Sequence, residues 1–140
     1  LEAKNQVGPT GKVIGLDIKK DQIEALDIFD SIIVESATNS IDVYDKLSEI
    51  TNGKLADLTI NVVNIQNTEM TSILCTRQEG IVYFFSMATS FTKAALGAEG
   101  IGKDITMMIG NGYTKNHASI TLDILRQNKK VFDLFMSRYA

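Results

Sequence analysis

The sequence predicts an α/β fold: three layers, with a mostly parallel five-stranded sheet and helices on both faces. Three observations carry this. Five short apolar runs alternate with helix-like stretches of about ten residues, the rhythm of right-handed β-α-β crossovers. The first run, Lys12–Asp17, hardly alternates polar and apolar residues, as a strand covered on both faces should not. Cap residues and glycine turns fall between the runs rather than inside them.

In order, Leu1 to Gln6 reads as the tail of a helix and Val7-Gly8-Pro9-Thr10-Gly11 as a turn. The strand Lys12–Asp17 is followed by a helix over Lys20 to Ile28, with Ile23, Leu26 and Ile28 inward. Ser31-Ile32-Ile33-Val34 is a second short strand. Thr38-Asn39-Ser40 supplies caps for a helix with Ile41, Tyr44, Leu47 and Ile50 at helical spacing, ended by Asn52-Gly53. Ala56–Val63 is the third strand, and Thr68 caps a helix bearing Met70, Ile73 and Leu74. Glu79-Gly80 turns into the fourth strand, Ile81–Ser86; Ser90 caps a helix through Leu96. Asp104–Ile109 is the fifth strand. Gly110-Asn111-Gly112-Tyr113 leads to a helix from Asn116 to Arg126, and a last helix holds Val131, Phe132, Leu134, Phe135 and Tyr139.

Composition narrows the function. One domain of 140 residues with 44% hydrophobic and 22% charged residues is an ordinary globular chain. A net charge of -3 argues against nucleic acid as the main partner, since phosphate binding needs a basic face. No apolar run approaches the roughly 20 residues that span a bilayer, and no signal peptide is visible, so no membrane role is expected. The single Cys75 excludes an internal disulfide and fits the cytoplasm; with one Cys and one His a Cys/His zinc site cannot be built. In a parallel sheet ligands bind at the C-terminal strand ends. Those are Asp17-Ile18, Glu35 to Thr38, Val63 to Asn67, Ser86 to Thr89, and Gly110 to Tyr113.

Val13-Ile14-Gly15-Leu16-Asp17, Asn52-Gly53-Lys54-Leu55-Ala56-Asp57-Leu58-Thr59-Ile60-Asn61 and Glu79-Gly80-Ile81-Val82-Tyr83-Phe84-Phe85 match, in order and spacing, three stretches of a known domain. They resemble the ribose-acid strand, the "G-x-x-A-D" strand entry and the "G-G-x-V" strand of the medium-chain (zinc-type alcohol) dehydrogenase coenzyme domain. The resemblance covers Val7 to Ile109. A narrower one rests on Val7-Gly8-Pro9-Thr10-Gly11-Lys12-Val13-Ile14-Gly15, on Ile109-Gly110-Asn111-Gly112-Tyr113 and on Arg138-Tyr139. It points to the amine-oxidising dehydrogenases of anaerobic lysine fermentation, and implies NAD-dependent oxidative deamination of 3,5-diaminohexanoate to 5-amino-3-oxohexanoate with release of ammonia. The alternatives are a zinc-type alcohol dehydrogenase of other specificity and a non-enzymatic flavodoxin-like regulatory or binding module.

The family's glycine-rich pyrophosphate loop and the strand before it are expected ahead of Leu1. Gly8-x-x-Gly11 precedes a strand and Gly97-x-x-Gly100-x-Gly102 follows a helix, so neither is that loop. We therefore expect residues 1–140 to be a partial NAD-binding Rossmann-like domain, an N-terminally truncated piece of a larger enzyme and inactive alone. The absent strand would lie between Lys12–Asp17 and Asp57–Val63. Closing that gap predicts a flavodoxin-like 2-1-3-4-5 strand order, with strand exchange between two chains as the alternative. An open gap would contradict both.

The resemblance implies that the cofactor is NAD, bound by Asp17, Ile18, Lys19, Thr38, Val63, Asn64, Ser86 and Met87. Asp17 would hold the adenosine ribose hydroxyls and disfavour the 2′-phosphate of NADP; the competing role is a solvated strand-end acid. Lys19 is better explained as a solvated lysine, and Thr38 and Asn39 as caps. The Val63-Asn64 and Ser86-Met87-Ala88 loops would pass the nicotinamide half. No catalytic residue is assigned to this chain, the substrate being a small amino acid held through the absent domain, and zinc, whose presence in the enzyme stays open, would not be bound here. His117 suits a loop-bracing role better than a general base. Asn111-Gly112-Tyr113 meets substrate or only turns the chain. Glu35 with Asp17 is a weak carboxylate pair, and Cys75 a buried structural thiol. The Phe132, Phe135, Met136 stripe packs either on the sheet or on the absent domain; the second would leave an exposed patch and favour a homodimer.

Overall fold

A computed structural model of the chain describes residues 1–24, 26–110 and 112–140. They order as α1 (Glu2–Gln6), β1 (Ile14–Asp17), α2 (Lys20–Glu24), β2 (Ser31–Val34), α3 (Ser40–Thr51), β3 (Ala56–Asn61), α4 (Glu69–Cys75), β4 (Thr76–Phe84), α5 (Phe91–Gly100), β5 (Thr106–Ile109), α6 (His117–Gln127) and α7 (Lys129–Tyr139). The expected α/β class with parallel pairing and helices on both sides holds.

The single five-stranded sheet does not hold. Among the described residues β1 pairs with β2, and β3-β4-β5 form a separate three-stranded sheet; no ladder joins β1 to β3, so the 2-1-3-4-5 order is absent. The expectation assumed that open edges would be buried. Leu58 and Ile60 of β3 are each 50% exposed. β3 is therefore not the fully buried central strand on which the expected penalty of about 1–3 kcal/mol per unpaired group rested.

The chain divides into two compact units. One holds Leu1–Gly15, Lys19–Ile32 and Gly112–Ala140; the other holds Leu16–Ile18 and Ile33–Asn111. In the first, Asp30 organises the turns: its carboxylate accepts the Val13 N–H at 2.7 Å and pairs with the Lys4 ammonium. Both donors hold its pKa below the ordinary carboxylate value. The helix after β1 is shorter than expected and buries only Ile23. Asn128 Oδ1 accepts the Val131 N–H at 3.0 Å and starts α7, whose Val131 is buried while Phe132, Phe135 and Met136 stay exposed.

In the second unit β3, β4 and β5 are parallel, with Leu58 opposite Ile81 and Ile81 opposite Thr106. The Glu79-Gly80 turn exists, but as a bulge inside a longer β4: Ala56 faces Thr76 and Leu58 already faces Ile81. Glu79 takes a left-handed φ of 59° there. The core lies on one face, where Val82 and Phe84 meet Ile73 of α4 and Ala94 and Ala98 of α5, flanked by Ile105 and Met107. On the opposite face Leu58, Ile60, Ile81, Phe85 and Met108 stay exposed. Helix α5 runs past the expected Leu96 to Gly100, so Gly97 and Gly100 lie inside it. Gly97 is there for space: a Cβ would come within 3.2 Å of Ile73 Cδ1. Helix α3 buries Val43 and Leu47, whereas Ile41 is 64% exposed. Asn52, at φ 52°, ends it as expected.

Candidate functional site

Parallel strands bring the β3, β4 and β5 C-termini to one end of the sheet. There the loop after β4, the first turn of α5 and the end of β5 enclose a shallow cleft of about 270 Å³, lined by Ser86, Met87, Thr89, Phe91, Ile109 and Gly110. Its walls are mostly apolar. Gly110 lets the backbone lie against Tyr83, whose hydroxyl would sit 3.2 Å from a Cβ.

Each neighbouring loop is fixed by polar contacts. Ser86 Oγ accepts the Ala88 N–H at 3.1 Å, and Ser86 O accepts the Thr89 N–H at 3.3 Å, which curls the loop after β4. Ser90 Oγ accepts the Lys93 N–H at 3.4 Å and starts α5, the cap its sequence predicts. The loop after β3 is shaped by Asn61, which is 6% exposed. Its amide donates to Thr68 Oγ1 and Ser72 Oγ, both at 2.9 Å, and its oxygen accepts the Val63 N–H at 3.1 Å. Two contacts tie this loop and the start of α4 to α5 and its cap: Lys93 Nζ donates to Asn67 Oδ1, and Glu69 Oε1 accepts the Ser90 N–H at 2.7 Å.

The structure thus brings Ser86 and Met87 into one cleft and puts Val63 and Asn64 on the loop after β3. Met87 and Phe91 are 83% and 67% exposed. Asp17, Ile18, Lys19 and Thr38 do not line the cleft; Asp17 ends β1, Ile18 and Lys19 follow it, and Thr38 follows β2. Asp17 is half-buried and its carbonyl accepts the Glu35 N–H at 3.2 Å. Thr38 is engaged in a local turn, its hydroxyl 2.8 Å from Ser36 Oγ. Asn39 precedes α3 but does not cap it with its side chain, which donates to Glu35 Oε1 at 2.8 Å. Glu35 also takes the Lys46 ammonium at 2.8 Å and the Ser36 N–H at 2.9 Å. Together these hold its carboxyl down at about 2. That carboxylate is spent on its own turn, which removes it from any acid/base pair.

His117 braces its loop, Nδ1 lying 2.8 Å from Thr114 O and the ring stacking on Tyr113 at 4.6 Å. Asn111, the first residue of the loop signature, lies outside the described residues. Burial pushes the Cys75 thiol up to about 11, against a small opposing effect from Lys103. At that value almost no thiolate forms near neutrality, and the residue is inert. Lys103 is itself lowered by burial; its ammonium closes the end of α4 by donating to Leu74 O at 2.6 Å and Ile73 O at 3.1 Å. Among the described residues no group of three His, Cys, Asp or Glu could hold a metal ion, and no helix is long and apolar enough to cross a membrane.

Sequence reasoning missed Asn61, Glu69 and Lys103. Asn61 carried a signal, a polar residue at the end of an apolar strand. Glu69 carried none, because an acid in a helix's first turn reads as dipole complementarity.

No family model matches the sequence. The chain is 53% identical over 141 residues to the L-erythro-3,5-diaminohexanoate dehydrogenase of Acetoanaerobium sticklandii, and 49% identical to that of Fusobacterium nucleatum subsp. nucleatum. In both, 99% of this chain matches 41% of the relative, so the chain spans under half the length of these curated proteins. Among solved structures it is similar to AibC, with a TM-score of 0.62 at 14% identity over 83% of this chain and 32% of that one. It is also similar to the apo JamJ enoyl reductase, with a TM-score of 0.52 at 11% identity over 94% and 44%. At these identities the likeness shows the fold alone.

Proposed function

We propose that this chain is the coenzyme-binding part of an NAD-dependent dehydrogenase that deaminates 3,5-diaminohexanoate to 5-amino-3-oxohexanoate, releasing ammonia, in cytoplasmic lysine fermentation. One observation carries this: about half of all residues, along nearly the whole chain, are shared with two dehydrogenases named for that substrate. The parallel sheet with a cleft at its strand ends is the architecture such a coenzyme uses.

The residues present fit part of that coenzyme. A cleft of about 270 Å³ is below the roughly 300–1,000 Å³ of a whole-ligand pocket, so it takes a ring and not a dinucleotide. Its apolar walls suit the nicotinamide face. Asp17 lies at the end of β1 as an acceptor for ribose hydroxyls, with Ile18, Lys19 and Thr38 beside the adenosine; Val63 and Asn64 border the nicotinamide side with Ser86 and Met87. When bound, NAD takes the hydride from the carbon bearing the amine. The chain's own part is to hold the ring still and exclude water, with Met87 and Phe91 closing on it. The substrate's amino and carboxyl groups, any zinc and the proton transfers are assigned to the rest of the protein, which would assemble as a homodimer.

The test is NAD reduction by the full-length protein with 3,5-diaminohexanoate, simple alcohols and ordinary amino acids. Turnover only with the diamino acid is expected. Asp17→Ala should weaken NADH binding by about tenfold or more, the loss of a charge-assisted contact of roughly 1.5–3 kcal/mol. Turnover of alcohols alone would discard the deamination.

A further inference from the structure

Glu69 stands apart from the other acids of the chain. It is 2% exposed, on the first turn of α4, and Oε1 accepts the Ser90 N–H at 2.7 Å. A buried carboxylate is unfavourable beside an apolar residue of the same size unless donors hold it. Here the donor ends the very loop whose Ser86, Met87 and Thr89 line the cleft, and it opens the helix whose Phe91 lines it too. The loop's beginning is closed by its own bonds, Ala88 N–H to Ser86 Oγ and Thr89 N–H to Ser86 O. Its far end is held from outside by α4, with Lys93 on Asn67 reinforcing the same junction one turn later. Glu69 itself does not line the cleft.

We propose that Glu69 is a positioning residue for the coenzyme: by accepting the Ser90 amide, it holds the Ser86–Ser90 loop in the shape that receives the nicotinamide end. This rests on the coenzyme reading of the cleft. The chemistry asked of Glu69 is that of an acceptor, so a neutral amide oxygen in the same place does as well, and a side chain of the same size without an acceptor does not.

Glu69→Gln and Glu69→Met, made in the full-length protein, separate these. Both fill the same space, so folding is retained. For Glu69→Met we expect amide exchange across Ser86–Lys93 about tenfold faster or more, and the KM for NAD raised about tenfold with kcat within about threefold. Glu69→Gln should stay within about twofold of the parent in both. A purely structural role predicts instead a lower active fraction, hence reduced kcat with unchanged KM, and that result overturns the proposal. So does a Gln variant as impaired as the Met variant, or a Met variant with normal NADH affinity despite faster exchange. Should the unmutated protein bind no NADH, the coenzyme reading fails by itself. Exchange then still decides the anchoring: faster in Glu69→Met upholds Glu69 as the loop's anchor, and unchanged exchange overturns it.

Discussion

Two strand-end turns of the same unit make an instructive pair. The turn after β2 is organised mainly by its own acid, with one tie to α4, where Thr71 Oγ1 donates to Ala37 O at 2.7 Å. Glu35 accepts from Ser36 and Asn39 within the turn and from Lys46 of the helix that follows. The turn after β4 cannot close alone. It borrows Glu69 from a different helix, and what its backbone leaves uncovered is an apolar hollow. Polar residues in the first are consumed by local geometry. In the second they are arranged so that apolar side chains can face outward, a state that needs support from elsewhere in the fold.

The contrast can be broken at its foundations. Asn61→Asp would remove the two donors to Thr68 and Ser72 and place a charge at a 6% exposed site. We expect a loss of about 3 kcal/mol or more in urea denaturation, with the loop after β3 and the start of α4 loosened first. Gly97→Val acts on the same side by another route. Its branches would push into Ile73 and Met70 and wedge α4 from α5, at a cost of about 1–3 kcal/mol. Exchange should rise at Ser90 and not at Asn39.

The smallest effect belongs to the turn after β2. Glu35 is held down from 4.5 to about 2, first by Lys46, then by the Ser36 amide and Asn39. A depressed carboxyl stabilises the folded state in full above its unfolded value. The contribution shrinks as pH falls below about 4.5 and is gone below about 2. Lys46→Met should move the Glu35 midpoint, followed by carboxyl NMR titration, upward toward 4.5 and leave NADH affinity unchanged. A midpoint that stays put would mean that the amide donors alone set it.

Much of this fold was legible because its signals are local. Ser31–Val34 is a strand with the bounds its β-branched run announces, Asn52-Gly53 ends α3, and Ser90 caps α5. Local signals also misled. The spacing of Ile41, Tyr44, Leu47 and Ile50 describes one helix face, but Val43 and Leu47 are the residues that α3 buries, since the neighbour decides which face turns inward. The glycines at 97 and 100 looked like loop residues, yet the first marks where two helices touch. The site divides in the same way. Ser86 and Met87 follow from strand ends, whereas Glu69 acts on a residue 21 positions away, and nothing in the intervening sequence encodes that meeting. The divided sheet was hidden because edge cost depends on solvent access, a property of the assembled chain.

The uncovered face of the β3-β4-β5 sheet sets the colloidal behaviour of this segment. Leu58, Ile60, Ile81, Phe85 and Met108 present side chains to water, on a chain whose net charge of -3 offers little mutual repulsion. Added salt screens that repulsion within about 10 Å at 0.1 M and strengthens the attraction between apolar faces when the anion is sulfate. The segment is therefore at its most dispersed in dilute, low-salt buffer on the alkaline side of its isoelectric point near 5.1, and salts out early.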